Sequence, residues 1–123
     1  MSSVSLKNIS KSFKDTSVLQ NIDMHIEDGQ FVTLLGPSGC GKSTILRILS
    51  GLIEQNAGEI FVDNTEISPL AASKRNIGMV FQSYALFPNL NVFDNVAFGL
   101  QVQKLPKKEV QAEVQKILHL VDR

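Results

Sequence analysis

The sequence predicts an α/β fold, and three observations carry the prediction. Phe31-Val32-Thr33-Leu34-Leu35 is a dense apolar run, the pattern of a strand buried on both faces. It stops at a glycine cluster, Gly36-Pro37-Ser38-Gly39-Cys40-Gly41-Lys42-Ser43, which satisfies G-x-x-x-x-G-K-[ST]. A helix over Lys42 to Ser50 follows at once, with Ile45, Leu46, Ile48 and Leu49 as a broad apolar face and Gly51 as its stop. Strand, glycine loop and helix in direct succession is the arrangement that cradles a phosphate.

The remaining elements are read in chain order. Val4 and Leu6, then Ile22, Met24 and Ile26, alternate with polar neighbours, which is the period of half-buried strands. Asp28-Gly29 makes a turn before the apolar run. Ile60 to Val62 and Ile77 to Phe81 read as further strands lying apart from the sheet of the first helix, with Asp63-Asn64 as the turn after the first of them. Past Pro88, Val92, Val96 and Leu100 are spaced by four, which suits a helix from about Asn91 to Gln101. Pro106 then takes the place of a first-turn proline, and Val110, Val114, Ile117, Leu118 and Val121 form one apolar stripe with His119 solvated on the opposite face.

Composition narrows the partners. The 123 residues carry 12 Lys+Arg against 12 Asp+Glu and are 43% hydrophobic, the make-up of an ordinary globular chain. A net charge of zero removes the basic footprint of a general nucleic-acid or anionic-membrane binder, so partners must be found through a local site. The lone Cys40 makes no intramolecular disulfide, the polar start Met1-Ser2-Ser3 lacks the regions of a signal peptide, and no apolar stretch reaches the length of a membrane span. A reducing cytoplasm fits these features.

The phosphate loop needs the residue types it has. Gly36, Gly39 and Gly41 let consecutive backbone N–H groups turn inward, and the helix beginning near Lys42 adds its unpaired amides and positive dipole end. Lys42 reaches the β- and γ-phosphates as a point charge, Ser43 offers its hydroxyl to Mg²⁺, and Thr44 bonds the α-phosphate side. Pro37, Ser38 and Cys40 fill the variable positions of the loop, Cys40 as a small residue rather than a redox group. Hydrolysis asks further for an apolar strand ending in an Asp that holds Mg²⁺. Ile60-Phe61-Val62-Asp63 has that form, yet Asn64 follows and the segment reads as a hairpin, so Asp63 is taken as a turn residue.

With Ile77-Gly78-Met79-Val80-Phe81-Gln82-Ser83-Tyr84-Ala85-Leu86-Phe87-Pro88 downstream of the loop, the whole chain resembles the N-terminal half of an ATP-binding cassette (ABC) transporter nucleotide-binding subunit. The resemblance implies a P-loop NTPase (RecA-like) core with an antiparallel β subdomain over about residues 1–90, and the start of a helical subdomain over about 91–123. It implies that Phe13, after Lys11-Ser12, stacks on adenine, that Val18 meets the ribose, and that Gln82 coordinates Mg²⁺ or the lytic water. Tyr84, Leu86, Phe87 and Leu90 would meet the membrane permease, since large apolar groups in loops need a partner. A core phenylalanine and a glutamine that merely bonds backbone stay open as plainer readings of Phe13 and Gln82.

Ancestry by this resemblance is a bacterial importer ATPase on the cytoplasmic face of the inner membrane, using ATP and Mg²⁺. It would serve ferric iron first, or polyamine, aminoethylphosphonate or sugar, with permease subunits and a second ATP-binding subunit as partners and a periplasmic solute-binding protein acting indirectly. Lys14 and Asn64 stand where the family commonly has glycine. The chain ends at Arg123, ahead of the family's signature motif, Mg²⁺-binding Asp, catalytic Glu and switch His, so the expectation is weak nucleotide binding or none and no turnover by this polypeptide alone. A P-loop kinase, a non-transport ABC protein and an inert truncated product are the competing readings; the first is disfavoured by the two strands and aromatic loop ahead of the phosphate loop.

Overall fold

Two long strands lead the chain. β1 (Val4–Phe13) and β2 (Thr16–Ile26) pair antiparallel through a tight turn, with Phe13 opposite Thr16 and Val4 opposite Ile26. β3 (Ala57–Val62) pairs on the other edge of β1, and β4 (Thr65–Glu66) closes the sheet in the order β2-β1-β3-β4. The computed structural model describes residues 2–83 and 85–122, and the chain divides into two compact units, Met1–Met79 and Val80–Arg123.

In the first unit, two of the three irregularities in the β1–β2 ladder keep the sheet's apolar face on the core. Between the pairs Leu6↔Met24 and Ile9↔Ile22, β1 has one residue more than β2; between Ile9↔Ile22 and Lys11↔Leu19, β2 has the extra one. Each bulge holds an asparagine in the left-handed region, Asn8 (φ 54°) and Asn21 (φ 46°), a conformation Asn tolerates better than most residues. The amides displaced from the ladder find side chains: Asn8 N donates to Asp23 Oδ1 (2.8 Å) and Asn21 N to Ser10 Oγ (3.0 Å). Leu6 and Ile9, an odd three positions apart, thus both enter the core.

Helix α1 (Lys42–Ser50) lies on this face, so Ile48 shares a buried cluster with Leu6, Ile9, Leu19, Ile60 and Ile67. β3 therefore belongs to the sheet that α1 covers, which corrects the expectation that it lies apart. Asp63 (φ 49°) and Asn64 (φ 67°) are both left-handed, the two-residue hairpin loop whose twist suits flanking strands. Asp63 Oδ1 accepts the Ser3 amide at 2.9 Å. Its carboxylate is held below the ordinary range by hydrogen bonds from the Ser2 hydroxyl and then from Ser3.

Two expected strands do not form ladders. Phe31 and Leu35 are 93% and 90% exposed, although Val32 and Leu34 line an apolar pocket with Leu6, Met24, Ile45 and Leu49. This corrects the expectation of a strand buried on both faces: no described strand hydrogen-bonds to the segment, and of its five residues only Leu34 is half-buried. Ile77 packs on the core of the first unit; Val80 is 98% exposed, and 77–81 likewise joins no ladder.

The second unit is a helical pair. α2 (Val92–Val102) starts at Asn91, whose side chain accepts the Asp94 amide at 2.8 Å. Its covered face is Phe93, Val96, Ala97 and Leu100, while Val92 is exposed, so the spacing by four names the helix but misplaces its first apolar contact. α3 (Lys107–Val121) has Pro106 just before its first residue, one place earlier than expected. Val110 and Val114 are buried against α2, and Ile117 and Val121 of the stripe remain exposed. Among the described residues, no helix is long and apolar enough to cross a membrane.

Candidate functional site

The phosphate loop is a surface loop from Gly36 to Cys40 that plunges into the first unit at Gly41. Gly41 is buried at φ 98°, and a Cβ placed on it would stand 2.8 Å from Leu19 Cδ2 and 3.5 Å from Val18 Cγ1. Both its dihedral and its neighbours exclude a side chain there. This contact brings β2 and the phosphate loop together, and Leu19, absent from the sequence reading of the site, supplies it. An apolar residue in a strand carries no local sign that it will abut a glycine loop.

From Gly41 the chain enters α1, whose N-terminus has no side-chain cap. The first intrahelical bond runs from Ile45 N to the Gly41 carbonyl at 3.0 Å, leaving the amides of the first turn aimed along the axis away from the helix. The Cys40 amide is spent on Pro37 O at 3.3 Å, a turn that folds the loop back on itself. Lys42 Nζ donates to the Gly36 carbonyl, tying the first turn of α1 back to the first residue of the loop. Ser43 is exposed on the first turn and Thr44 half-buried. Uncapped amides, a helix dipole, an ammonium and a hydroxyl oxygen are the donor set that suits a polyphosphate and a hard divalent cation, so the residues fit Mg-nucleotide.

Phe13 ends β1 and is 46% exposed, with Lys11 Nζ 5.1 Å from the centre of its ring. Val18 is half-buried two residues past Thr16, the partner of Phe13, which sets Phe13 about 7 Å along the hairpin from Val18 at the rise of a strand. Hairpin and phosphate loop are thus neighbours in one unit, through Val18, Leu19 and Gly41. An exposed aromatic at such a tip is free to stack on a flat ring. Cys40 is exposed, and its Sγ would lie 2.7 Å from a Cβ on Gly36, so it packs over the loop's first residue.

The second unit carries the other candidates. Gln82 is exposed in an irregular segment. Leu86 is exposed, Leu90 half-buried, and the Phe87 ring lies 4.4 Å from that of Phe98 on α2. The Tyr84 expectation lies outside the described residues. Asn95, which the sequence did not single out, holds this loop: its Oδ1 accepts the Phe87 amide (2.8 Å), and its Nδ2 donates to the carbonyls of Phe87, Leu90 and Asn91. An Asn at the end of the first turn, four residues after an Asn cap, is a usable signal for such a tie.

Comparison with known proteins agrees with this geometry. The ABC transporter family profile matches residues 19–123. The Fe(3+) ions import ATP-binding protein FbpC of Photobacterium profundum is 50% identical over 97% of the chain, the spermidine/putrescine import ATP-binding protein PotA of Pasteurella multocida 46% over 96%, and the maltose/maltodextrin import ATP-binding protein MalK of Vibrio cholerae 44% over 100%. The chain spans about a third of the length of these curated relatives, 34%, 32% and 35% respectively. Among solved structures, a dimeric ATP-binding cassette in a post-hydrolysis state bound to ADP and Pi superposes with TM-score 0.83 at 32% identity, covering 94% of this chain and 56% of that one. A dimeric bacterial ABC transporter cassette gives 0.79 at 33% identity, over 89% and 53%. The fold is that of the P-loop ABC cassettes, here an antiparallel sheet with a few helices.

Proposed function

The chain belongs to the ABC transporter family, with importer ATP-binding proteins as relatives, and from that premise we propose that it is the nucleotide-binding N-terminal part of an importer's ATP-binding subunit. The observation that carries the reading is the junction at Gly41, where the uncapped start of α1 and the loop closed by Lys42 abut the β1–β2 hairpin. In this reading Phe13 stacks on adenine and Val18 touches the ribose. The segment Gly36, Pro37, Ser38, Gly39, Cys40, Gly41, Lys42, Ser43 and Thr44 surrounds the phosphates, with Ser43 as an oxygen donor to Mg²⁺. When bound, the cation would neutralise charge between the terminal phosphates.

The exposed Leu86 and the neighbouring Phe87 and Leu90 are the surface we assign to membrane permease subunits, attaching the protein to the cytoplasmic side of the membrane by an apolar patch rather than by basic attraction to lipid. A second ATP-binding subunit would complete the nucleotide site, as the dimeric cassettes it resembles suggest. Of the transported substrates, ferric iron is placed first, supported by the 50% identity to the iron importer against 46% and 44% to the polyamine and maltodextrin importers. Calorimetric titration with Mg-ATP tests the core of the reading: binding should weaken at least tenfold in Lys42→Ala and severalfold in Phe13→Ala. Unchanged affinity in both removes it.

A further inference from the structure

Arg75 is a buried cation on which no carboxylate sits among the described residues. It is 7% exposed, and every nitrogen of its guanidinium donates to a main-chain carbonyl. Nη1 reaches Ile48 O (2.8 Å) and Leu49 O (3.2 Å) at the end of α1; Nη2 reaches Ser68 O (2.9 Å) and Nε reaches Leu70 O (2.9 Å). The carbonyls of a helix's last turn have no intrahelical partner, and a cation there also complements the negative end of the dipole. The turn past α1 satisfies the Arg47 and Ile48 carbonyls with the amides of Leu52 and Gly51. Leu49 O takes its bond from Arg75.

The helix end is also pressed against the segment that presents Arg75. Gly51 ends α1 at φ 85°, and a Cβ on it would stand 2.9 Å from both Ala72 Cα and Arg75 Nε. Burial pulls the guanidinium down from its ordinary pKa while the charge of Glu54 opposes this, and the group stays cationic at any physiological pH. Lysine cannot reproduce the fork, because one ammonium cannot reach four carbonyls set around a plane.

Resting on the nucleotide-binding reading above, we propose that Arg75 is a positioning residue for the phosphate site. It fixes the C-terminal end of α1, and through that short rod it fixes where Lys42, Ser43 and the first-turn amides stand. α1 has nine residues and is only about 14 Å long, so a shift or tilt at one end is felt at the other. Arg75 also fastens α1 to the 68–75 segment, from which the chain runs on toward Gln82.

The test is the ratio of ATP to AMP affinity in the intact protein, measured by calorimetry for Arg75→Met and Arg75→Lys at a temperature where circular dichroism shows each folded. ATP draws on the whole phosphate cradle and AMP on little of it, so a displaced α1 lowers the ratio, by about tenfold in Arg75→Met and by less in Arg75→Lys. A merely structural arginine would lower the melting temperature and leave the ratio of the folded molecules unchanged, and that result overturns the proposal. If Arg75→Met does not fold, the ratio in Arg75→Lys decides in the same way. Lys42→Ala is run beside them: if it too leaves ATP affinity unchanged, the nucleotide reading has failed and the Arg75 proposal falls with it, whereas a loss in Lys42→Ala with an unchanged ratio at Arg75 overturns the positioning role alone.

Discussion

Leu19 Cδ2 occupies the place that a side chain on Gly41 would need, 2.8 Å from an ideal Cβ. The contact joins the β1–β2 hairpin to the start of α1, and Gly41 is further restricted by its φ of 98°. Gly41→Ala should therefore destabilise the protein by about 1–3 kcal/mol from the dihedral, with a packing cost added. It should also weaken ATP binding. In the double variant with Leu19→Ala, the steric part is relieved and the dihedral part is not. A denaturant melt of the four proteins should show positive coupling between the two sites; strict additivity would mean that the contact does not constrain the loop.

Asp63 supplies an acid-sensitive tie between the β3–β4 turn and the N-terminal segment. Bonds from the Ser2 hydroxyl, and then from the Ser3 amide, lower its carboxylate pKa below the ordinary Asp value of 3.8. A lowered carboxylate contributes stability that is present above the unfolded pKa and is lost as pH falls through the folded one. The window thus lies below about pH 4. Because Asp63 is exposed, the effect is small and local. An NMR titration should find the Asp63 carboxyl midpoint below the ordinary Asp value, with the Ser3 amide moving in step; in Asp63→Asn, which keeps a residue that tolerates the left-handed turn, the Ser3 response should vanish.

The short-range features of this fold were legible in the sequence. The loop-to-helix junction, α1 with Gly51 as its stop, the Asp63-Asn64 turn and both later helices follow from residue types acting on their own backbone. The full lengths of β1 and β2 were not, because the bulges at Asn8 and Asn21 break the alternation that marks a strand and leave Leu6 and Ile9 an odd number of residues apart. Phe31 to Leu35 shows the opposite case, a strand pattern that no described neighbour pairs. Of the candidate site, the glycine loop shows in its spacing, while Leu19 and Arg75 carry no local sign: one is an ordinary apolar strand residue, and the other follows Lys74 in a short stretch between the β3–β4 hairpin and Ile77.

Ala97 and Val114 are both fully buried in the second unit, where α2 and α3 meet over a small apolar cluster. Val114→Ala should cost about 1.5–3 kcal/mol, the burial of a valine side chain, with little help from relaxation in so small a core. Ala97→Leu should cost about 1–3 kcal/mol by overpacking. Amide hydrogen exchange should then accelerate along α2 and α3, with protection of β1, β2 and α1 unchanged. Equal acceleration in both units would show that the two unfold as one.

Lys42 separates binding from stability. Its ammonium donates to the Gly36 carbonyl, a bond worth about 1 kcal/mol net between partly solvated groups, so Lys42→Ala should lower the melting temperature by only about 3–5 °C. Its loss should nonetheless weaken ATP binding at least tenfold, because an ammonium at the uncapped start of α1 supplies a full charge to a phosphate where the helix amides supply only partial ones. Turnover asks for a carboxylate beside the cation and a group to activate water. The acidic residue that ends the β3 run, Asp63, is committed to Ser3 in a hairpin turn. As a separate polypeptide the 123-residue chain should thus release phosphate from ATP no faster than its Lys42→Ala variant. A steady-state assay showing faster release would mean that residues within this chain complete the hydrolytic site, and that Asp63 is not the turn residue its bonds describe.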